Sequence, residues 1–357
     1  MIDPNESLKV VELVAHRPEW SKTFNDAATQ LKTILGDNCI AIHHIGSTAI
    51  PTIYAKPIVD MLPVVKNLAL VDVHNAEFAA QGYVCMGEYG IPGRRFYWKS
   101  VNNRTHNVHL FQEDSPEVIR HLAFRDFMLS HPDHAKSYSL LKRALAAVFT
   151  NDIESYVNGK STFVQMIDYQ TGTALPNQLH ANDDILIKPY DANWVKLAAV
   201  EINVIKTIAA NIPYLAIEHL GSTAVPGLAS KPIIDIFITV AEINQAQPWI
   251  KPLAAMGYDY WEENPDKNHL RFFKGMPPYG KGRSHHIHIV NANSHIVEHR
   301  VLFRDILRQD DNIRQEYEKL KIKLSQSVGV DRELYTASKK EFIEKTLRKH
   351  GYTKPLL

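Results

Sequence analysis

The 357-residue chain has little of several features that would define a class of protein. Its two cysteines, Cys39 and Cys85, are too few for a disulfide framework or a four-cysteine zinc site. Its 40 lysines and arginines nearly balance its 39 acidic residues, which excludes a broadly basic nucleic-acid coat and a disordered acidic chain. No apolar run reaches the roughly 20 residues that a membrane-spanning helix needs.

Two further absences concern targeting and phosphate chemistry. The segment MIDPNESLKV has no basic stretch followed by an apolar core, so we expect no signal peptide. The chain has no Gly-x-x-x-x-Gly-Lys-Ser/Thr sequence, which excludes a P-loop kinase domain. With 45% hydrophobic residues, the composition is that of an ordinary globular protein. We expect a reduced, cytoplasmic protein of about two domains that does not contact a membrane.

What the chain does have is an internal repeat. The segment HIGSTAIPTIYAKPIVD (44–60) matches HLGSTAVPGLASKPIID (219–235) at ten of 17 positions. Further matches follow at offsets between 174 and 179, among them Arg95-Phe96 with Arg271-Phe272. A repeat of this length is a whole domain rather than a solenoid unit. We therefore predict one domain at 8–168, a linker at 169–181 and a second copy at 182–350.

Each copy is predicted to be α+β, a small mixed sheet with helices of the α/β type. Short runs rich in β-branched residues predict buried strands, and apolar residues at three- and four-residue spacing predict helices. The first copy should begin with a helix ending near Leu35, and Leu122–Val148 should be helical. The predicted strands are Ile40–Ile45, Pro57–Val65, Arg95–Lys99 and Asn107–Phe111, with Leu215–Leu220, Pro232–Val240, Arg271–Lys274 and His286–Val290 in the second copy.

The repeated motif places a Gly-Ser turn between two strands, the second of which carries an aspartate. Glycine lets backbone amides turn toward an anion, and the serine hydroxyl adds a donor. A carboxylate nearby can hold a divalent metal against phosphates. A plain tight turn is the alternative, although it would not explain why His44, Lys56 and Asp60 recur in the second copy. The pattern favours a phosphate or nucleotide site.

The motif H-x-G-S-T-A-x-P-x-x-x-x-K-P-I-x-D resembles the GrpB family, also described as UPF0157. The Arg-Phe strand, the His-rich strand, the Phe-Arg-Asp helix start and the Tyr-x-x-x-Lys helix resemble it as well, over nearly the whole chain, twice. The resemblance implies a nucleotidyltransferase-like fold similar to DNA polymerase β. It also implies a relation to accessory domains fused to dephospho-CoA kinase. The family carries no settled activity.

The sequence departs from active nucleotidyltransferases, which carry two acids at i and i+2 on one strand. Residues two apart face the same side of a strand, so both carboxylates can reach one metal pair. Here the residue at i+2 is Leu62 after Asp60 and Phe237 after Asp235. A later strand, where a third acid is expected, offers Asn107 and His109 on one face in the first copy, and His286 and His288 in the second. Imidazole favours Zn²⁺, Mn²⁺, Fe or Ni over Mg²⁺, which weakens a two-metal Mg²⁺ mechanism.

These observations define the predicted site. The catalytic candidates are Asp60, Asp235, His109 and His288, and Asp60 and Asp235 are the candidate metal ligands. A divalent metal, Mg²⁺ or Mn²⁺ ahead of Zn²⁺, is the expected cofactor. The predicted phosphate- or nucleotide-binding residues are Gly46, Ser47, Thr48, Lys56, Arg95, Arg125, Lys142, Gly221, Ser222, Thr223, Lys231, Arg271, Arg304 and Lys321.

Three functions stay open. The first is binding of a nucleotide or another phosphorylated small molecule, with metal-assisted nucleotidyl or phosphoryl transfer. The second is a non-catalytic accessory or scaffold module with a protein partner, which has lost the second acid. The third is a metal-dependent hydrolase or transferase built on Asp and His. No nucleic-acid partner is expected.

Overall fold

The computed structural model describes residues 10–100, 104–175, 185–276, 282–327 and 332–354. The chain divides into two compact units, Met1–Pro176 and Asn177–Leu357. Each unit is α+β with one five-stranded mixed sheet, which confirms the predicted fold class. The first two residues of the predicted linker are the end of a helix that runs to Gln170, and 176–181 lie outside the described residues. In the described part of the chain, no helix is long and apolar enough to cross a membrane.

The first unit has the strand order β1-β2-β5-β4-β3, in which only the central pair, β2 and β5, is parallel. Its elements are α1 (Glu19–Leu35), β1 (Cys39–Ile45), β2 (Val59–Val65), α2 (Ala69–Asp72), α3 (Asn75–Ala80), β3 (Tyr83–Cys85), β4 (Arg95–Lys99), β5 (His106–Gln112), α4 (Pro116–Ser130), α5 (Pro132–Val148) and α6 (Ile153–Gln170).

The second unit repeats this plan with the order β6-β7-β10-β9-β8, and its central pair, β7 and β10, is again parallel. Its elements are α7 (Asn193–Ile208), β6 (Ala216–Leu220), β7 (Ile234–Val240), α8 (Ile250–Ala255), β8 (Tyr258–Tyr260), β9 (His269–Lys274), β10 (His285–Asn291), α9 (His295–Gln309), α10 (Asp311–Ser327), α11 (Arg332–Ser338) and α12 (Lys340–Lys349).

The two faces of each sheet have different coverings. In the first unit, helix α1 buries Trp20, Ala27, Leu31 and Leu35 against one face, since their spacing places them on one side of a helix. The opposite face carries the aspartate of the repeated motif. There the sheet packs partly against α4 and leaves room beside the Gly-Ser turn. The chemistry therefore lies on the face that α1 does not cover.

The predicted match of Arg95-Phe96 with Arg271-Phe272 is wrong by one residue. Phe96 lies opposite His109 in the sheet, whereas Arg271 lies opposite His288. Arg271 is therefore the counterpart of Phe96, and Arg95 is the counterpart of Leu270. Because side chains alternate along a strand, this shift moves Arg95 to the face away from the aspartate. The predicted helical stretch Leu122–Val148 also divides in two, with Pro132 beginning α5.

Candidate functional site

The Gly-Ser turn and the aspartate are in direct contact in both units. Gly46 has φ 67° and Gly221 has φ 76°, a left-handed conformation that L side chains rarely adopt. A Cβ at Gly46 would overlap the Asp60 carboxylate, and one at Gly221 would overlap the Asp235 carboxylate. Glycine is thus required twice over, by its conformation and by the close approach. The arrangement places a carboxylate directly against the turn.

In the first unit, Asp60 is held by two neighbours on β5. The Asn107 amide donates to Asp60 Oδ1 at 2.9 Å, and His109 Nε2 lies 3.6 Å from the same oxygen. Arg94 Nη1 lies 3.2 Å from His109 Nδ1. A guanidinium only donates, so His109 Nδ1 accepts and the ring proton of a neutral His109 lies on Nε2, toward Asp60. Burial pushes the Asp60 pKa up, but His109 and Asn107 outweigh it and the pKa is lowered.

In the second unit, histidines surround the equivalent aspartate. His286 Nδ1 lies 3.0 Å from Asp235 Oδ1, and His288 Nε2 lies 3.9 Å from it. His269 Nε2 lies 2.8 Å from His288 Nδ1. Burial would raise the Asp235 pKa, but the two adjacent histidines lower it strongly. Burial lowers the pKa of His288 to about 4, although Asp235 opposes that shift.

The position two residues after each aspartate is apolar, as predicted. Leu62 is fully buried and packs with Ile45 and Phe111. Phe237 stacks on the His288 ring with centroids 4.3 Å apart. Neither unit therefore has a pair of carboxylates on this strand.

A cavity of about 280 Å³ in the first unit joins the turn to the aspartate. Lys142, which is 2% exposed, donates a hydrogen bond to Ser47 Oγ at 2.8 Å. Burial lowers the Lys142 pKa well below its usual value. The Lys160 ammonium lies 4.9 Å from the centre of the Tyr156 ring, and burial together with Lys56 lowers its pKa to about 8. The polar lining residues are Ser47, Lys56, Asp60, Tyr89, Arg104, Asn107, Lys142, Tyr156 and Lys160.

The second unit has a corresponding cavity of about 300 Å³. Lys231 and Lys339 flank the Tyr335 ring, at 4.3 and 4.2 Å from its centre. Burial, with Lys231 nearby, lowers the Lys339 pKa to about 7. The polar and charged lining residues are Ser222, Asp235, His299, Arg300, Arg304, Tyr317, Thr336, Lys339 and Lys340. Each unit thus joins the serine, the aspartate and one half-buried lysine, Lys160 or Lys339, in one cavity.

Several predicted residues lie apart from these cavities. Arg95 is on the opposite face of the sheet, in an ion pair with Asp72 at 2.6 Å, and is not a site residue. Arg271 shares the face of Asp235, but its Nε contacts His269 Nδ1 at 3.4 Å rather than the turn. Arg304 lines the cavity of the second unit. Its counterpart Arg125 is not among the described residues that line the cavity of the first unit.

The remaining predicted residues brace the turn. Thr48 and Thr223 are buried, and their hydroxyl groups form hydrogen bonds with Nε2 of His44 and His219, respectively, at 2.9 Å in each unit. Arg125 donates to the His44 carbonyl at 3.2 Å. Lys321 donates to the Ala229 carbonyl and to Ser230 Oγ. Lys321 therefore differs from its counterpart Lys142, which reaches the serine of the turn.

Sequence reasoning missed site residues that lie far along the chain. Lys160 and Lys339 recur at the same place in the repeat, each four residues after a repeated tyrosine. That recurrence was the available signal, because nothing else in the local sequence links α6 to the Gly-Ser turn. The other missed residues that contact the site are Arg94, Arg104, Tyr156, His269, Arg300 and Tyr335.

A metal ion can be held where three donor atoms of His, Cys, Asp or Glu side chains lie close together. In the described part of the chain, one such group has its donor atoms within 4.8 Å of one another, and it comprises Asp235, His286 and His288. Two imidazoles and one carboxylate suit Zn²⁺, Mn²⁺ or Fe²⁺, whereas Mg²⁺ prefers oxygen ligands. The residues of the second unit therefore do not fit the Mg²⁺ expected from the sequence.

Comparison with protein families matches the GrpB protein family at residues 10–170 and again at 184–349. The chain therefore belongs to the GrpB family and carries its domain twice. The UPF0157 protein YqkA of Bacillus subtilis is 39% identical over 176 residues, which are 49% of this chain and 51% of YqkA. The chain thus spans about half the length of that relative.

Three more similarities cover parts of the chain. The crystal structure of GrpB from Enterococcus faecalis is 38% identical, with a TM-score of 0.44 over 45% of this chain and 96% of that chain. Cid1 in complex with a UTP analogue is 12% identical, with a TM-score of 0.31 over 64% of this chain and 74% of that chain. A dephospho-CoA kinase of Mycolicibacterium paratuberculosis is 28% identical, over 41% of this chain and 42% of the kinase.

Proposed function

We propose that each unit binds a nucleotide or another phosphorylated small molecule in the cavity beside its Gly-Ser turn. The observation that carries this proposal is the same in both units. One cavity brings together the serine of the turn, the aspartate of the central strand and a half-buried lysine from the C-terminal part of the unit. The serine and the aspartate belong to the same repeated motif, but the lysine follows the aspartate by about 100 positions, so the fold and not the local motif brings it to the site.

The balance of charge in the cavities supports an anionic ligand. Four basic side chains and one carboxylate line the cavity of the first unit, and the same numbers of Lys/Arg and Asp/Glu side chains line that of the second. Desolvation lowers the pKa values of Lys160 and Lys339, and repulsion from the neighbouring half-buried Lys56 and Lys231 lowers them further. A phosphate group would relieve that repulsion and accept their hydrogen bonds.

The roles of the individual groups follow from their positions. Ser47 and Ser222 offer hydroxyl groups at the turn, and Lys160 and Lys339 offer positive charge across the cavity. Asp60 and Asp235 can accept a hydrogen bond from a hydroxyl of the ligand, such as that of a ribose. These groups would hold a phosphate between the turn and the lysine, with a sugar hydroxyl beside the same turn at the aspartate.

The alternative is a non-catalytic accessory module, and one observation favours it over nucleotidyl transfer. Leu62 and Phe237 are buried where a second metal-binding carboxylate would stand. Two carboxylates on one strand are what two-metal transfer chemistry requires. We therefore propose binding as the function, with transfer chemistry as the further possibility to be tested by assay.

A thermal-shift panel on the full chain tests the proposal. The panel contains the four nucleoside triphosphates and CoA precursors, each with and without divalent metal. A ligand at about 100 times its dissociation constant should stabilise the chain by about 2.7 kcal/mol. The double variant Lys160→Gln/Lys339→Gln should lose most of the shift. Arg95→Gln removes an equal charge on the opposite face of the sheet and should keep it. A flat panel, or a shift that the double variant retains, contradicts the proposal.

A further inference from the structure

We propose that Asp235, His286 and His288 form a binding site for one divalent transition metal ion, of the Zn²⁺, Mn²⁺ or Fe²⁺ class, in the second unit only. His286 and His288 are two residues apart on β10, so both face the side of the sheet that carries Asp235. Parallel pairing puts His286 directly beside Asp235. The three side chains are brought together by the register of the two central strands.

The distances suit a shared ion. Asp235 Oδ1 lies 3.0 Å from His286 Nδ1 and 3.9 Å from His288 Nε2, and the three donor atoms are within 4.8 Å of one another. Two ligands that each lie about 2.1 Å from a metal are about 3.0 to 3.4 Å apart. Of the three pairs of donor atoms, that of Asp235 and His286 already has this separation, and the two pairs that include His288 must close by about 1 Å when an ion binds.

Neighbouring groups can support His288 as a ligand. A metal-bound imidazole normally donates its other N–H to an acceptor, which fixes the ring. His269 Nε2 lies 2.8 Å from His288 Nδ1, and His269 Nδ1 lies 3.9 Å from Asp266 Oδ2. In the structure Arg271 Nε donates to His269 Nδ1 at 3.4 Å, so a neutral His269 donates from Nε2 to His288 Nδ1. Unlike a guanidinium, the His269 ring can change tautomer. With metal bound, His288 Nδ1–H would donate to His269 Nε2, and His269 Nδ1–H would face the Asp266 carboxylate in place of the long Arg271 contact. The chain His288–His269–Asp266 therefore has an acceptor at its end.

Proton balance follows from the same contacts. Without metal, His286 Nδ1 donates its proton to Asp235. The ion needs the lone pair of that nitrogen and that of His288 Nε2. In a neutral ring the proton moves to the other ring nitrogen and none is released, whereas a ring protonated on both nitrogens must give up one proton. Metal ions and protons therefore compete for these nitrogens, and binding should weaken at low pH. No oxidation or bond cleavage is involved.

The first unit provides an internal contrast. Asn107 occupies the position of His286, and Arg94 occupies that of His269. Arg94 donates to His109 Nδ1, which keeps the proton of a neutral His109 on Nε2 and removes the lone pair that a metal would need. The first unit thus has the aspartate and one histidine but lacks the set of ligands.

Calorimetric titration of Zn²⁺ into the full chain, after treatment with a chelator, tests this site without any nucleotide. Absorbance of Co²⁺ in the visible range provides a second readout of nitrogen ligation. We expect one ion per chain that is lost, or weakened at least about 100-fold, in His286→Asn. The matched variant of the first unit, His109→Asn, should still bind one ion. His269→Gln keeps all three ligands and should weaken binding about 10- to 100-fold.

Thermal unfolding of each variant without metal distinguishes a lost ligand from a lost fold. If His286→Asn unfolds, His269→Gln and His109→Asn still give a decisive comparison. No binding to the wild-type chain by Zn²⁺, Mn²⁺, Co²⁺ or Fe²⁺ would overturn the proposal. Binding that is equally weakened by the His109 and His269 variants would do the same. Because the probe is the metal alone, failure here leaves nucleotide binding by the cavities untouched.

Discussion

The two units share a fold and a cavity, but they surround the central aspartate with different side chains. In the first unit an asparagine and one histidine lie beside the aspartate, and an arginine contacts that histidine. In the second unit three histidines take these positions. The two sets are Arg94, Asn107 and His109, and His269, His286 and His288.

This difference separates two parts of the site. The Gly-Ser turn, the aspartate and the half-buried lysine are the same in both units, and they form the part that suits an anion. The partners of the aspartate differ, and they decide what else that carboxylate can bind. A duplicated domain can therefore keep one ligand class while the chemistry next to it diverges. Four predictions test how far the two units really differ.

The largest expected difference lies in a buried ion pair of the second unit. Lys274 donates to Glu201 at 2.7 Å, and both side chains are at most 4% exposed. Lys274→Met would leave Glu201 buried without its partner and should cost about 3 to 5 kcal/mol of unfolding free energy. The counterpart Lys99 donates to the Gln30 amide oxygen in an exposed bond and lies 4.9 Å from the centre of the Tyr83 ring, with no buried carboxylate as its partner among these contacts, so Lys99→Met should cost about 1 kcal/mol. Denaturant unfolding measures both, and equal costs would contradict the distinction.

The glycines of the turns should show no difference between the units. Gly46→Ala and Gly221→Ala each introduce a Cβ that overlaps a carboxylate in a left-handed conformation. We expect each to cost at least about 2 kcal/mol of unfolding free energy. Gly36→Ala is a matched control, since its φ is also positive but nothing lies within 4 Å of the new Cβ. A cost for Gly46→Ala no greater than that for Gly36→Ala would mean that the close approach is not real.

Acid should destabilise the second unit more than the first. Burial lowers the pKa of His219 and His285 to about 4, as it does for His288. The unfolded chain then binds more protons than the folded one between pH 6.5 and 4. Stability is therefore full above pH 6.5 and falls as the pH drops through this range. Among the described histidines of the first unit, burial lowers the pKa by a similarly large amount only at His44 and His121.

Hydrogen exchange of the full chain at pH 7 and pH 5, with chelator present, follows each unit separately. The amide groups of β7 and β10 should lose more protection at pH 5 than those of β2 and β5. Equal loss in both units would show that the buried histidines of the second unit do not control its stability.

The smallest expected effect is proton uptake on ligand binding. Near pH 8, Lys339, with a pKa of about 7, is mostly neutral, whereas Lys160, with a pKa of about 8, is half charged. A bound phosphate favours the charged amine, so binding should take up a fraction of a proton at each site. Calorimetry in buffers of different ionisation enthalpy measures the uptake, which Lys339→Gln should reduce by more than half. Uptake that is unchanged in that variant would place the titrating group elsewhere.

Much of this architecture could be predicted from the sequence. The repeat located both turns, both aspartates and the face that Asn107 shares with His109, because strand alternation is a local property. The edge strands Tyr83–Cys85 and Tyr258–Tyr260 were missed because three residues carry too little pattern. The match of Arg95 with Arg271 failed for a related reason. Residue identity favoured one alignment, while pairing across the sheet set another that is one residue away.

The lysines of the cavity were beyond local reasoning for a different reason. Lys160 follows the Gly-Ser turn by more than 100 residues, and only the packing of α6 brings it near Asp60. Its recurrence as Lys339 indicated importance but not location. Position in the fold, rather than residue type, makes these lysines part of the site.

The number of anion sites per chain tests the central claim most directly. Calorimetric titration of the full chain with the nucleotide that gives the largest thermal shift should reveal two sites. Lys160→Gln and Lys339→Gln should each weaken one of them about tenfold, the loss expected for about 1.4 kcal/mol of a charged hydrogen bond. The other site should be unchanged in each variant. A single site that neither variant weakens, or no binding at all, would contradict the account.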